Sequence, residues 1–182
     1  MKRVLFIVLF CWALSLFQNC RQIESLKLSN CLGKEMDLSS LTPTFNGKVL
    51  SHKVAYPKVG ARMIIYLDSA QCHQCHFKSF SNYRAFQEIN DEYDSFDLMY
   101  VLSPSQEERQ HILHDLYLIH LHDVVYIDFD NKFLANNPFV PRGPKYHVFL
   151  LDSLSRVKLI GDPMVGSQMK ELYLSTITSI VN

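Results

Sequence analysis

The stretch RMIIYLDSAQCHQCHFKSF, residues 62–80, joins an apolar run to a pair of cysteines. RMIIYL is short, rich in β-type residues and ends at Asp68 and Ser69, which predicts a buried strand followed by a turn. From Cys72 to Ile89 apolar residues recur in steps of three without Gly or Pro, which predicts a helix with a broad apolar face. The two cysteines therefore stand at the junction of a strand and a helix.

The cysteines and the histidine after them form the pattern C-x-x-C-H, with Cys72, Cys75 and His76. This pattern can attach a c-type haem, the same cysteines with His73 or His76 can bind zinc, and C-x-x-C alone can be a redox dithiol. A haem would also need a second axial ligand, which three methionines offer: Met99, Met164 and Met169. The chemistry of this motif therefore decides the function.

The haem and zinc interpretations find little support elsewhere in the sequence. Met99 lies inside an apolar strand, and the α/β pattern of the chain differs from the helical architecture of small c-type cytochromes. Zinc would need ligands such as His111 and His114, which are closer together than the H-x₃₋₅-H pairs of zinc fingers. We interpret these two histidines as surface residues of an amphipathic helix, and we expect no cofactor and no metal.

The next part of the chain alternates strand and helix. FDLMYVL (96–102) and DVVYIDF (123–129) are predicted strands. The intervening SPSQEERQHILHDLYL predicts a helix, with Ser103 as N-cap, Pro104 at the first helical position and Gln106 closing a capping box. A strand and a helix thus follow each other twice in succession.

The C-terminal part predicts a hairpin followed by a helix. YHVFLLD and RVKLIG are two apolar runs separated by SLS within residues 146–161, as in a β-hairpin. One side of the last helix is predicted to consist of six residues: Met169, Leu172, Tyr173, Thr176, Ile177 and Ile180. Together these elements predict an α/β fold with a central mixed sheet and helices on both faces.

The N-terminus has the composition of a targeting segment. Two basic residues precede an apolar run over residues 4–17, and no acidic residue appears before Glu24. Because the run is shorter than the roughly 20 apolar residues that a spanning helix needs, we interpret it as a signal-peptide core. We predict a signal peptide of the lipoprotein type over residues 1–19, with Cys20 as the lipidated residue. Cleavage as an ordinary secreted protein and an uncleaved anchor are the alternatives.

The rest of the chain is predicted to be one domain outside the cytosol, where disulfides persist. The sequence has 18 basic and 18 acidic residues, and loss of the two basic residues of the signal peptide leaves a small negative balance, which indicates no nucleic-acid partner. Residues 20–45 are predicted to be a tether and N-terminal edge segment, with a short strand or edge in GKEMDLSSL (33–41). Residues 46–182 are predicted to be the folded domain. Cys31 is predicted to be a free or half-buried thiol.

The strand-to-helix setting of the C-x-x-C motif resembles the thioredoxin fold. The closer likeness is to membrane-tethered thiol-disulfide oxidoreductases of the bacterial envelope, a branch related to peroxiredoxins. IIYLDSAQCHQCHFK (64–78), VVYIDFDNKF (124–133) and HVFLLDSLSRVKLIGDP (147–163) occupy the places of three motifs of that family. The resemblance covers residues 34–181 and implies a thioredoxin-like domain.

Thiol chemistry assigns different roles to the two cysteines. A cysteine in the first turn of a helix lies at the positive end of the macrodipole, which stabilises its thiolate and lowers its pKa. Cys72 is therefore predicted to be the exposed nucleophile and Cys75 the more buried resolving thiol. His73 and His76 would favour the thiolate further if protonated. The alternative is that both histidines are polar residues that merely flank a disulfide.

Two features of the resembled family are displaced in this chain. The cis-proline that packs beside the dithiol in the family corresponds to Tyr146, which leaves Pro144 as the cis-proline candidate. The buried acid of the family corresponds to Tyr66, which leaves Asp68 as the nearest candidate for tuning the dithiol, unless it is a turn residue. No proline stands between the cysteines, and the direction of electron transfer is left open.

The resemblance implies thiol-disulfide exchange in the bacterial cell envelope. The partners would be envelope proteins with thiols or disulfides, and the lipid on Cys20 would hold the chain on the membrane. Arg21 follows the lipidated cysteine, which by family analogy favours the outer membrane, facing the periplasm. The alternative is a thioredoxin-fold lipoprotein that serves as a non-catalytic binding module with a structural disulfide between the two cysteines.

Overall fold

The computed structural model describes residues 28–50, 60–68, 80–118 and 124–181. These residues contain seven strands: β1 (Thr42–Phe45), β2 (Lys48–Val49), β3 (Ala61–Leu67), β4 (Phe96–Leu102), β5 (Val124–Ile127), β6 (Val148–Asp152) and β7 (Val157–Ile160). They form one sheet in the order β2-β1-β5-β4-β3-β6-β7. The pairs β3–β4 and β4–β5 are parallel and the other neighbours are antiparallel, so the sheet is mixed.

Four α-helices lie wholly within the described residues: α1 (Arg84–Glu92), α2 (Ile112–Leu118), α3 (Phe133–Asn136) and α4 (Ser167–Val181). A 3₁₀ turn, Phe80–Tyr83, leads directly into α1, and further 3₁₀ turns cover Glu108–Gln110, Pro144–Tyr146 and Pro163–Val165. The start of the helix predicted from Cys72 lies outside the described residues. No helix in the described part of the chain combines the length and the apolar character that crossing a bilayer requires.

Strand β3 is an interior strand of the sheet, between β4 and β6, and is buried along its whole length. It pairs in parallel with β4 and antiparallel with β6, so Met63 lies between Leu98 and Leu150. Successive side chains of a strand point to opposite faces, and a strand covered on both faces therefore needs an almost unbroken apolar sequence. The run ARMIIYL satisfies this requirement at every position except Arg62.

The two faces of the sheet carry separate apolar cores. On the first face Met63, Ile65 and Leu67 pack in one cluster with Phe86 of α1 and Tyr173 of α4. On the second face the cluster contains the alternate residues of β3 together with Phe133 of α3 and residues from the N-terminal segment. The prediction of a mixed sheet with helices on both faces is therefore confirmed.

The exception in β3, Arg62, is buried with a charged partner. Its Nε donates a hydrogen bond to Asp97 Oδ2 of β4 at 2.7 Å, and only 4% of the residue is exposed. The two residues are register partners in the parallel pair. Burying a charge is costly unless it is paired and hydrogen-bonded, so the position of Asp97 is what permits an arginine here.

Residues that precede β1 pack against the sheet. In GKEMDLSSL only Glu35 forms a β-bridge, to Arg156, and the segment forms no strand. It contributes Met36 and Leu38 to the second core instead. The boundary placed between residues 45 and 46 falls in the turn between β1 and β2, a hairpin that the sequence analysis did not identify although its Asn-Gly pair is the usual signal for a type I′ turn.

The helix after β4 begins later than its sequence suggested. The backbone N–H of Ser103 still donates to the Leu67 carbonyl of β3 at 2.8 Å, so Ser103 continues the strand pairing and its hydroxyl bonds Asn131. The capping box consists of Ser105 and Glu108: the Ser105 N–H donates to Glu108 Oε2 at 3.0 Å and the Glu108 N–H to Ser105 Oγ at 3.3 Å. The assignment of Ser103 and Gln106 as the box was therefore wrong.

Helices α2 and α4 each bury a narrow face. Tyr173 and Ile177, one turn apart, are completely buried in α4, whereas Leu172 is 46% exposed, so its place on the apolar side was predicted wrongly. A residue adjacent to Tyr173 points about 100° away around the helix, which explains its exposure. In α2, Ile112 is buried and His114 is exposed; His111, which precedes the helix, is exposed too, as predicted.

The capping box at the start of the 3₁₀ turn Glu108–Gln110, which precedes α2, provides a test of this part of the fold. Ser105→Ala removes the side-chain acceptor for the Glu108 N–H, and we expect it to lower the free energy of unfolding by about 1 kcal/mol. Gln106→Ala, at an exposed position, should change it by less than about 0.5 kcal/mol. Urea denaturation of both variants measures the difference. Equal losses in the two variants would contradict the assignment.

The turn of the β1–β2 hairpin provides a second test. Gly47 has a φ of 73°, and a Cβ built there would lie 2.2 Å from the Leu113 carbonyl oxygen of α2. Gly33 has a φ of 74° with nothing within 4 Å of such a Cβ. We expect Gly33→Ala to cost about 1–2 kcal/mol for the left-handed backbone alone, and Gly47→Ala to cost clearly more. Equal urea midpoints for the two variants would contradict a close contact between Gly47 and the backbone of α2.

Candidate functional site

A cleft of about 240 Å³ opens at the carboxyl end of β3. Leu67 at the end of the strand, Phe80 and Val148 contribute apolar surface to it, and Tyr83 and Asp162 contribute polar atoms. Leu67 and Phe80, which line the cleft, are the nearest cleft residues in the sequence on either side of the segment 69–79. The C-x-x-C motif belongs to that segment.

Four of the predicted site residues lie outside the described residues: Cys72, His73, Cys75 and His76. The same holds for Cys20, the predicted lipidation site, and for the whole predicted signal peptide. The described part of the site consists of the groups that surround the two ends of the segment 69–79. These groups define the environment at the points where the chain enters and leaves the motif.

The polar side of the cleft is held by a fixed hydrogen-bond pair. The Tyr83 hydroxyl donates to Asp162 Oδ1 at 3.0 Å, and the Met164 N–H donates to the same oxygen at 2.8 Å. Burial, reinforced by the Asp162 carboxylate, raises the pKa of Tyr83. The phenol therefore stays protonated and keeps donating to Asp162 over the physiological pH range.

Pro144, the candidate for the cis-proline, lines the cleft but is not a cis-proline in this structure, because no peptide bond of the described residues is cis. The chain turns here by other means. Gly143 has a φ of 125°, and a 3₁₀ turn follows in which the Tyr146 N–H donates to the Gly143 carbonyl at 3.1 Å. Tyr146, at the place expected of the proline, has the Lys145 ammonium 4.7 Å from its ring centroid.

His147 is the site residue that the sequence analysis missed. It is 1% exposed, its Nδ1 lies 3.5 Å from Asp68 Oδ2, and its carbonyl accepts the Tyr66 N–H at 2.8 Å. The ring contacts the Asp68 carboxylate and forms a hydrogen bond with the Pro141 backbone. Burial lowers the pKa of His147, against the opposing effects of the Asp68 carboxylate and the Pro141 backbone. The imidazole is therefore neutral at neutral pH.

Tyr66 occupies the position at which the resembled family has a buried acid. It is 3% exposed, and its ring packs on Phe133 with centroids 4.7 Å apart and edge-on against His147 at 5.1 Å. Burial raises the pKa of Tyr66 to about 12. The phenol therefore keeps its proton near neutrality.

Asp68, the tuning candidate, is a carboxylate whose Oδ2 lies 3.5 Å from Nδ1 of this histidine. Its side chain is 18% exposed and faces His147 across the end of the sheet. It is also the last described residue before the C-x-x-C segment. The structure thus brings Asp68, Tyr66 and His147 together at the point where the chain enters the motif.

Cys31 is more buried than predicted. Its thiol has no exposed surface, and its Sγ donates to the Phe139 carbonyl at 3.0 Å within the second core. Burial raises the pKa of the Cys31 thiol. Because the thiolate is the reactive form, a buried thiol of this kind is inert, which argues against Cys31 as a third redox partner.

The residues considered for a metal are dispersed in the structure. Met99 is completely buried in the second core, Met164 lines the cleft, and Met169 packs against the first core. His111 and His114 are exposed at α2. Across residues 28–50, 60–68, 80–118 and 124–181 no group of three or more His, Cys, Asp and Glu side chains is close enough to hold a metal ion.

Comparison with known proteins identifies the fold. No protein-family model and no curated protein matches the chain. Among solved structures, an uncharacterized thioredoxin-like protein from Porphyromonas gingivalis has a TM-score of 0.50 at 14% identity, over 81% of this chain and 94% of that one. The thioredoxin domain of a thiol-disulfide oxidoreductase from Bacteroides vulgatus has a TM-score of 0.43 at 17% identity, over 83% and 98% of the two chains.

A third similar structure is a domain of a possible thiol-disulfide isomerase from Cytophaga hutchinsonii, with a TM-score of 0.44 at 12% identity, covering 81% of this chain and 96% of that domain. At these identities the likeness concerns architecture, and the first of the three is the one that carries the assignment. Together with the mixed sheet and its two covered faces, it shows that this chain has a thioredoxin-like fold.

Proposed function

We propose that the protein is a thiol-disulfide oxidoreductase that acts through Cys72 and Cys75. The observation that carries the proposal is the position of the C-x-x-C motif in the sequence, shortly after β3, a fully buried interior strand of a thioredoxin-like sheet. Two described residues that flank the motif in the sequence, Leu67 and Phe80, line a cleft with an apolar surface. In the proposal this cleft holds part of the partner protein.

The chemistry requires two thiols with different roles. Cys72 as thiolate attacks a partner's disulfide and forms a mixed disulfide, which Cys75 then resolves. If the helix that ends as α1 starts at the motif, Cys72 lies nearer its positive end, where its thiolate is stabilised. His73 and His76 would add to this stabilisation in their protonated form.

The cleft suits a peptide segment that flanks the reacting cysteine of a partner. Its apolar residues Phe80 and Val148 can cover an apolar side chain, and Asp162, oriented by Tyr83, offers a fixed acceptor for a backbone or side-chain N–H. Binding of this kind holds the partner's sulfur atoms near the nucleophile. The partners in this proposal are envelope proteins that carry thiols or disulfides.

The proposal places the protein in the bacterial cell envelope, anchored by lipid on Cys20 after removal of residues 1–19. The support is the short apolar run between two basic residues and this cysteine. A lipid anchor would keep the domain on the membrane, facing the periplasm from the outer membrane. Residues 20–27, which precede the described residues, would then serve as the tether.

The first test of the proposal uses the two cysteines separately. Cys75→Ser removes the resolving thiol, so we expect covalent complexes with envelope proteins to accumulate and to disappear on reduction. Cys72→Ser removes the nucleophile and should trap almost none. Non-reducing electrophoresis measures both. Cys31→Ser is the matched control, because its thiol is buried and its removal should leave the trapping pattern unchanged.

The opposite result would support the alternative of a binding module with a structural disulfide. In that case neither variant traps a partner, and both thiols of the reduced protein are alkylated at the rate of an ordinary cysteine with a pKa near about 8.5. Preferential alkylation of Cys72 near pH 6 would support the oxidoreductase.

The second test concerns the anchor. We expect the wild-type protein to sediment with membranes and Cys20→Ala to lose its lipid-dependent membrane association, because the acyl chains attach to this residue. Labelling with a radioactive fatty acid measures acylation directly, and Cys11→Ala is the control within the signal peptide. Membrane binding that persists in Cys20→Ala with residues 1–19 still attached would show an uncleaved anchor instead.

A further inference from the structure

Asp162 is the one residue with a formal charge among the described residues that line the cleft. The other polar groups of this lining are the phenols of Tyr66 and Tyr83 and the amide of Asn82. Burial raises the pKa of both phenols, so they are uncharged at neutral pH. The described lining of the cleft is therefore apolar or neutral except for a single carboxylate.

The hydrogen bonds that the Asp162 side chain makes with described residues all use one carboxylate oxygen. The Tyr83 hydroxyl and the Met164 N–H both donate to Oδ1, at 3.0 and 2.8 Å. The second of these bonds makes Asp162 the N-cap of the 3₁₀ turn Pro163–Val165. A cap needs an acceptor oxygen but no charge, since serine and asparagine serve equally well. Capping therefore explains Oδ1 and leaves the negative charge and the acceptor sites of Oδ2 without a structural role.

No cation among the described residues neutralises Asp162. None of the described lysine, arginine and histidine side chains lies within ion-pair distance of its carboxylate. Lys145 is held nearby through its backbone, because its carbonyl accepts the Asp162 N–H at 3.2 Å. The Lys145 ammonium, however, lies 4.7 Å from the centroid of the Tyr146 ring. The described part of the cleft thus presents a negative charge to whatever binds there.

The surroundings of this carboxylate favour a particular kind of ligand. Asp162 is half-buried, and a charge in a sheltered position attracts an opposite charge more strongly than one in open solvent. Phe80 and Val148 provide apolar surface in the same cleft. Lysine and arginine combine an apolar stem with a cationic head, so they match both properties. The cavity of about 240 Å³ has room for one such side chain.

We propose that the cleft binds a lysine or arginine side chain of the partner polypeptide through an ion pair with Asp162. The inference rests on the proposed thiol-disulfide exchange and deepens it by naming the partner class, in which the exchanging segment is basic. The cationic head lies against Oδ2, while Tyr83 holds the carboxylate in place through Oδ1. An acidic segment is disfavoured by repulsion between like charges.

The direct test measures the binding of thiol-free peptides to the purified full-length protein. The probes are blocked Leu-Ala-Arg-Ala peptides in which arginine is kept or replaced by citrulline, a neutral side chain of nearly the same shape. We expect the arginine peptide to bind about 10-fold more tightly, because hydrogen bonds between charged groups are stronger. An NMR titration that follows the Met164 N–H, a donor to Asp162, measures both affinities. The difference should shrink between about 0.05 and about 0.5 M NaCl.

A charge-neutral variant locates the effect. Asp162→Asn removes the charge but keeps an acceptor oxygen for Tyr83 and Met164, so we expect it to bind the arginine and citrulline peptides equally. Asp152→Asn is the matched control. The Asp152 carboxylate accepts two backbone N–H groups in the β6–β7 turn, and the residue pairs with Ala61, at the opposite end of β3 from the cleft. This control should keep the full preference for arginine.

An exchange assay connects the cleft with the proposed function. Its substrates are the same peptides with an added cysteine in a disulfide with mercaptoethanol, and a third peptide carries glutamate in place of arginine. We expect kcat/KM of the reduced wild-type protein to fall in the order arginine, citrulline, glutamate, with the difference in KM, because the ion pair acts in binding. Asp162→Asn should abolish this order, and Asp152→Asn should retain it.

The outcomes separate this inference from the function on which it rests. If the wild-type protein binds both thiol-free peptides equally and still reduces the peptide disulfides, the inference fails and the oxidoreductase stands. A preference for arginine that depends on Asp162, without any exchange, supports the cation site and overturns the proposed function. A preference that persists in Asp162→Asn overturns the inference, because the cation then binds elsewhere. Loss of the preference in this variant alone, together with exchange, supports both.

Discussion

The complete burial of β3 is the constraint on which the rest of the structure depends. A strand that is covered on both faces and paired on both edges leaves no solvent-exposed position for its side chains or backbone. Its alternate residues therefore build two cores at once, one beneath α1 and α4 and one beneath α3 and the N-terminal segment. The cleft of the candidate site opens at the carboxyl end of β3, where this coverage stops.

The elements that the sequence predicted are those whose apolar runs are short, dense and bounded by turn residues. β3, β4, β5 and the β6–β7 hairpin follow this rule, and all of them are found in the structure. The β1–β2 hairpin was missed even though Asn46 and Gly47 mark its turn, because two-residue β2 offers no apolar run to recognise. The start of α2 was misplaced because Ser103 bonds the Leu67 carbonyl, a contact between distant residues that local sequence does not reveal.

The candidate site also contains residues that the sequence predicts and residues that it does not. The C-x-x-C motif can be recognised in the sequence because the spacing of two cysteines is itself the signal. His147 could not be identified in the same way, because a single histidine before an apolar strand is usually an exposed polar residue. Its burial arises from the pairing of β6 with β3 and from the ring of Tyr66. The same pairing brings the imidazole to Asp68. The burial of a histidine before a neighbouring strand thus becomes visible only once the sheet is assembled.

The ion pair between Arg62 and Asp97 also has a consequence for how the sheet is assembled. The parallel strands β3 and β4 are both so apolar that hydrophobic burial alone distinguishes poorly between neighbouring registers. A slip by one residue would set Arg62 against Phe96 or Leu98 and leave a buried guanidinium without its carboxylate. Breaking a buried pair in this way costs about 3–5 kcal/mol, comparable to the whole stability of a marginal domain. Arg62, the one charged residue of β3, therefore favours the observed register of β3 and β4 over registers shifted by one residue.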